Sequence, residues 1–320
     1  MLNRPRRLRK NRGIRALVKE NHLRVDDLIY PLFVVNGSGR KEAIKTLPDT
    51  HHFSIDLLLE EIAEIIALGI KGILLFAVPD EKDDQGSLAC SEQGIVQKAI
   101  REIKSEYPDL LLISDICLCG YTDHGHCGII EGDKVDNDKT LQVLSEIALS
   151  HAKAGADILA PSDMMDGRVQ VIRETLEQAG YHDTGIMSYS VKYASSFYGP
   201  FREAAHSAPQ FGDRSSYQMD YANSREAMRE INLDQEEGAD ILMVKPALSY
   251  LDIIQKVKEE AKVPVAAYSV SGEYAMIKAA AKAGLCDEKE MMHEVLTSIK
   301  RAGADIIITY YAKDLADQLK

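Results

Sequence analysis

Apolar residues along the chain gather into short unbroken runs, each followed by a longer stretch with helical spacing. The runs lie at 28–34, 72–77, 110–116, 157–161, 185–189, 240–244, 263–268 and 305–310, and are rich in Ile, Leu and Val with little polar alternation. Strands of that composition are buried on both faces, as parallel strands are. The stretches between them, such as 55–68, 139–154 and 274–283, space apolar residues three and four apart, which predicts amphipathic helices. Three runs open alike, with Ala-Gly-Ala-Asp at 154–157, Glu-Gly-Ala-Asp at 237–240 and Ala-Gly-Ala-Asp at 302–305. A glycine there suits the residue that ends the preceding helix. Repeated strand–helix units with short helix-to-strand turns predict an α/β fold, a (β/α)8 TIM barrel. A doubly wound open sheet is the alternative, but no glycine-rich phosphate loop follows the first run.

Two stretches depart from a plain barrel. Residues 1–27 precede the first strand as an N-terminal arm, expected to make subunit contacts and leaving 28–320 for the catalytic barrel. Residues 194–223 follow the fifth strand with Gly199, Pro200, Pro209 and Gly212 and little periodicity. A connection of that length is either a functional lid, here an active-site lid near 194–223, or disordered.

Charge sharpens the picture of the arm. The chain carries −12 overall, yet residues 1–24 hold nine Arg and Lys against one acid, Glu20, so the remainder stands at −20. The overall −12 argues against nucleic-acid binding, although the basic arm is what such a binder would use. No apolar stretch is long enough to span a membrane, and no apolar segment follows the basic start as in a secretory signal. Five cysteines make an odd count, and three of them crowd into 117–127. That pattern reads as metal binding in a reducing cytoplasm, not as a disulfide framework.

In a barrel, chemistry concentrates at the C-terminal strand ends. Those positions hold Asp115, Cys117, Ser162, Asp163, Lys192, Lys245, Ser271 and Tyr310. Lys192 and Lys245 each follow an apolar strand. A free lysine amine titrates near ~10.4 and is a poor nucleophile at neutral pH. Burial and a second ammonium nearby both favour the neutral amine. A lysine snorkelling out of a core strand accounts for one such residue, and less well for two on neighbouring strands. Cys117, Cys119 and Cys127 offer three thiolates with one open position, a set that suits catalytic zinc. The bland alternative, three buried apolar cysteines, fits poorly with the loop residues Gly120, Asp123, His124 and Gly125 between them. Cys90 and Cys286 stand alone and receive no role. On the lid segment, Tyr198, Arg202, Arg214 and Gln218 are the candidates for substrate contact, since arginines there can clamp a carboxylate.

These residues sit in longer motifs: 117–128 (CLCGYTDHGHCG), 160–167 (APSDMMDG), Lys192 followed by 197–202 (FYGPFR), 212–214 (GDR), 244–246 (VKP) and 270–274 (VSGEY). With 6–9 (RRLR) and 29–34 (IYPLFV), they make the chain resemble the porphobilinogen synthase (5-aminolevulinate dehydratase) family over almost its whole length. The resemblance implies a hydro-lyase of tetrapyrrole (haem) biosynthesis, cytoplasmic, joining two 5-aminolevulinate molecules with loss of two waters. It implies Schiff bases on Lys192 and Lys245. Lys245 goes with Ser271 and Tyr310 on one substrate carboxylate, and Lys192 with Arg202 and Arg214 on the other. It makes Tyr198 and Gln218 lid contacts and puts Asp115 and Ser162 near the reacting amines. Cys117, Cys119 and Cys127 match the zinc branch, and Glu230 matches a glutamate that binds an allosteric magnesium in some members. The arm would wrap a neighbouring subunit of a homo-oligomer, commonly an octamer. Tyr221 departs from the family pattern, where proline is expected, and would loosen the end of the lid. An aldolase-like barrel would need only one of the lysines and no cysteine cluster. A nucleic-acid binder would leave both lysines without a task.

Overall fold

A computed structural model describes residues 2–320. Eight strands pair in parallel and in chain order: β1 (Leu28–Val35), β2 (Gly72–Val78), β3 (Leu111–Ile116), β4 (Ile158–Pro161), β5 (Gly185–Lys192), β6 (Ile241–Lys245), β7 (Val265–Ser269) and β8 (Ile306–Thr309). β8 pairs with β1, through Leu28 opposite Ile307, and closes the barrel. Each apolar run forms a strand, within a few residues at either end. β5 is the exception and runs on to Lys192, because Ser188 and Ser190 interrupt the apolar run without interrupting the ladder. Nine helices of the described chain clothe or follow the strands: α1 (Ile55–Ala67), α2 (Ile95–Glu106), α3 (Asn137–Ala154), α4 (Arg168–Gln178), α5 (Arg225–Glu236), α6 (Leu251–Glu260), α7 (Ser271–Lys282), α8 (Glu288–Ala302) and α9 (Ala312–Leu319). Their buried residues keep the expected spacing, as in Leu58, Ile62 and Ile65 of α1.

The repeated Gly-Ala-Asp has a definite job at the N-terminal end of the barrel. Gly155, Gly238 and Gly303 take left-handed φ values of 109°, 101° and 119° and end their helices. Each aspartate then joins its strand to the one before. Asp157 Oδ2 accepts the Leu112 N–H at 2.7 Å, Asp240 Oδ2 that of Ile186 at 2.8 Å, and Asp305 Oδ2 that of Val265 at 2.9 Å. A basic side chain from the helix before the earlier strand caps each carboxylate: Lys104, Arg173 and Lys258. The clamp therefore recurs at β3/β4, β5/β6 and β7/β8.

Residues preceding β1 form three short turns of helix, Pro5–Arg9, Arg12–Leu17 and Val25–Asp27, with Leu2, Leu8, Leu17 and Val18 exposed. Leu23 and Val25 already pack on the core, so the chain joins the barrel a few residues before position 28. Two three-residue strands, Lys41–Ala43 and His51–Phe53, extend the sheet beyond the end of β1. They are too short to leave a period in the sequence.

Candidate active site

Lys192 and Lys245 are Cα partners across β5 and β6. Their register is not the one the strands begin with. Ser188 faces Leu242, whereas Val191 faces Val244, so β5 carries one extra residue between these pairs. Without that bulge Lys245 would face Val191. A one-residue slip turns a side chain to the other face of a sheet, so the bulge is what sends both lysines the same way.

Both amines are withdrawn from water, with the residues 4% and 5% exposed. The Lys245 ammonium position lies 4.4 Å from the Tyr268 ring centre, 4.9 Å from Tyr189, 5.0 Å from Phe201 and 5.3 Å from Tyr198. Burial first, and the Lys192 ammonium second, push the Lys245 amine down to about 7. Lys192 Nζ donates to the Ser162 carbonyl. Asp115 is partly buried, with Oδ1 withdrawn from water, and its carboxyl is pushed up to about 7 by burial and by Cys119, against the Ser162 hydroxyl that holds it down. Thus Lys192, Lys245, Asp115 and Ser162 share one electrostatic neighbourhood, as expected from their strand ends.

Segment 194–223 covers this end of the barrel as a packed structure. Its irregular composition hides two pieces of helix, Ser196–Tyr198 and Gly199–Ala204. Met219 returns to β5, donating its N–H to the Lys192 carbonyl at 3.1 Å. Tyr198 OH donates to the Lys245 carbonyl at 3.1 Å. Ser271 Oγ accepts the Phe201 N–H at 3.0 Å and joins the segment to α7. Tyr310 follows β8, its hydroxyl 3.3 Å from that of Tyr268. Around Tyr221, which is exposed, the chain makes a local turn. The Asp220 carbonyl accepts the Asn223 N–H at 2.9 Å, and Asp220 Oδ1 accepts that of Ala222 at 2.8 Å.

Arg202 and Arg214 have unpartnered Nε atoms in the interior, and Gln218 has both amide atoms unpartnered. Arg214 donates only to carbonyls, of Gly125 at 2.9 Å and Ser207 at 2.6 Å. Burial and then Arg214 lower the pKa of Arg202. Two guanidinium groups near one another, with no carboxylate bound to either among the described residues, have the chemistry to hold an anion.

Cys117, Cys119 and Cys127 are buried, with Sγ atoms within 4.8 Å of one another. The Cys117 thiol donates to Cys119 Sγ at 3.4 Å. Hydrogen bonds from Cys117 and Cys127, with Arg214 and Lys192 nearby, lower the Cys119 thiol, whereas hydrogen bonds with Cys119 and Cys127, and then burial, raise Cys117. Three sulfurs at this spacing, one already favoured as thiolate, fit a soft divalent metal. Cys90 and Cys286 are free and apart from the cluster. Glu230 also lies apart, half-buried on α5, and burial pushes its carboxyl up to about 7. It lines a cavity of about 570 Å³ with Asp166, Glu226 and Lys134.

Sequence reasoning missed Tyr189, Tyr268 and Phe201, which wall the Lys245 amine, and Tyr217, which packs on the cysteines. Within strands buried on both faces, nothing in the apolar pattern marks a tyrosine as inward-facing. No helix is long and apolar enough to cross a membrane among the described residues.

Comparison with known proteins places the chain in a family. The family described as delta-aminolevulinic acid dehydratase matches residues 2–318. A Bacillus subtilis protein named delta-aminolevulinic acid dehydratase is 57% identical over 317 residues, covering 99% of this chain and 98% of its own length. One of the same name from Methanothermus sociabilis is 57% identical over 316 residues, covering 99% and 98%. The crystal structure of the Toxoplasma gondii enzyme, in complex with its reaction product porphobilinogen, superposes with a TM-score of 0.97. It is 47% identical, and the match covers 99% of this chain and 92% of that one. The chain belongs to the delta-aminolevulinic acid dehydratase family.

Proposed function

We propose that this chain condenses two molecules of 5-aminolevulinate into porphobilinogen, releasing two waters, through Schiff bases on Lys192 and Lys245. The observation that carries the reading is the pair of buried, register-matched lysines. The neutral Lys245 amine attacks a substrate ketone. Loss of water leaves an iminium, which acidifies the carbon beside it. Lys192 does the same for the second molecule. Ser271 and Tyr310 hold one substrate carboxylate and Arg202 with Arg214 the other, which supplies the anion their geometry lacks. Tyr198 and Gln218 contact substrate from the lid at 194–223, and Asp115 and Ser162 orient the reacting amines.

Cys117, Cys119 and Cys127 would hold zinc, whose chemistry when bound is Lewis-acid polarisation of the second substrate. Glu230 would hold a magnesium ion, with Asp166 and Glu226 as acidic neighbours in the same cavity. The arm at 1–27 would pack on a second copy in a homo-oligomer, an octamer by family resemblance, in the cytoplasm.

The test is borohydride reduction of pure protein with 5-aminolevulinate, followed by peptide mapping. Adducts are expected on Lys192 and Lys245, alongside colorimetric detection of the pyrrole when zinc and thiol are present. Label confined to other lysines, or no pyrrole, would sink the reading.

A further inference from the structure

The loop that carries the cysteines and the segment that carries the substrate arginines are bonded along their whole contact. His124 accepts the Gln210 N–H on its carbonyl at 3.0 Å. Gly125 accepts from Arg214 at 2.9 Å. His126 Nε2 lies 3.0 Å from the Phe211 carbonyl, and its ring centre is 4.7 Å from that of Phe211. His126 Nδ1 lies 3.0 Å from Tyr217 OH, and the same hydroxyl accepts the Cys127 N–H at 3.4 Å. The approach is so close that a Cβ on Gly125, already at φ +71°, would meet the Ala208 carbonyl oxygen at 2.4 Å.

Tyr217 is the centre of this contact. Its ring packs on Cys117, Cys119 and Cys127. Its own backbone N–H bonds to the Arg214 carbonyl at 3.2 Å, and Gln218 does so at 2.8 Å, so one turn of chain carries Arg214, Tyr217 and Gln218 together. Arg214 and Gln218 have unpartnered buried atoms, and Tyr217 faces the sulfurs. Whatever fixes the cysteine loop therefore fixes the turn that presents the substrate contacts.

We propose that Tyr217 is a positioning residue that couples the three-cysteine metal site to the turn carrying Arg214 and Gln218. Metal binding and ordering of residues 205–219 then favour one another, and by linkage each strengthens the other equally. The inference rests on the metal reading given above and adds to it a defined mechanical partner. Metal held by the cysteines fixes the backbone of Cys127 and His126. These hold Tyr217, and Tyr217 holds the turn. The reaction site is then complete only when the metal site is filled, through contacts that do not touch substrate.

The experiment uses the full-length protein, wild type and Tyr217→Phe, with zinc loaded or removed. Zinc retention is read by competition with a chromophoric chelator. Order of the segment is read by limited proteolysis, for which the exposed tip at Gln210–Asp213 offers a target. Removing zinc from the wild type should speed cleavage at 205–216 and leave the barrel uncut. Loss of one hydroxyl with two hydrogen-bond partners should weaken zinc retention by roughly threefold to tenfold. The variant's cleavage rate should also depend less on zinc than that of the wild type. A wild-type protein that holds zinc but is cut at the same rate without it overturns the coupling and spares the metal reading, as does equal zinc retention in a folded Tyr217→Phe. If the variant fails to fold, the wild-type zinc dependence alone decides. A wild type that retains no zinc overturns both.

Discussion

At the scale of single residues the chamber works by exclusion of water. Lys245 is enclosed by four aromatic rings and faces a second ammonium, and burial contributes more than the ammonium does. The sign of the pH dependence follows. Above about pH 7 the amine is neutral and nucleophilic, and below it the ammonium form blocks attack. The rate of borohydride trapping on Lys245 should therefore fall about tenfold per pH unit below that midpoint and level off above it. Lys192→Met removes the second charge and should move the midpoint upward. A midpoint that stays in place would show that desolvation acts alone. The lysines and cysteines are legible in the sequence because charged or metal-binding groups at apolar strand ends are conspicuous. The aromatic walls are not, since Tyr189 and Tyr268 sit in strands where both faces are buried.

Among elements, β5 does the most. Its apolar run ends at 189, and the serines conceal three further strand residues and a bulge. Register is a relation between two strands, so it leaves no trace in either one alone. Deleting Ser190 should remove the extra residue, leaving Ser188 opposite Leu242 and Lys192 opposite Lys245 with regular pairing between them. Provided the far-UV spectrum is retained, trapping should therefore persist on both lysines. Loss of labelling on Lys192 in the folded deletion would show that the bulge does more than set the register. Segment 194–223 is recognisable by length and composition. Its order is not, because it is held by polar residues, with Ser207, Arg214 and Gln218 all buried. No hydrophobic period records that kind of packing.

For the molecule as a whole, the barrel is legible from its eight apolar runs, whereas the arm's expected role in subunit contacts rests on its charge and exposure alone. Leu2, Leu8, Leu17 and Val18 are exposed amid nine basic residues, while the rest of the chain is strongly acidic. Complementary charge steers association, and apolar contact holds it. Deleting residues 1–22, before the Leu23 anchor, should leave the far-UV spectrum intact and give a smaller particle by light scattering. Unchanged mass would show that the arm does not join subunits. The aspartate clamps lead elsewhere. Asp305 and Lys258 are each about two-fifths exposed, so their ion pair contributes little. The bond to the buried Val265 N–H matters more, because leaving that donor without a partner costs about 1–3 kcal/mol. Asp305→Ala should therefore lower the urea midpoint more than Lys258→Met, with kcat and KM at room temperature unchanged in both. A fall in kcat in the folded Asp305→Ala protein would count against this separation. The three clamps sit at the strand beginnings and the candidate catalytic residues at the strand endings. Heat tolerance and turnover are therefore expected to answer to opposite rims of one barrel, and a change in how long the protein survives need not alter how fast it works.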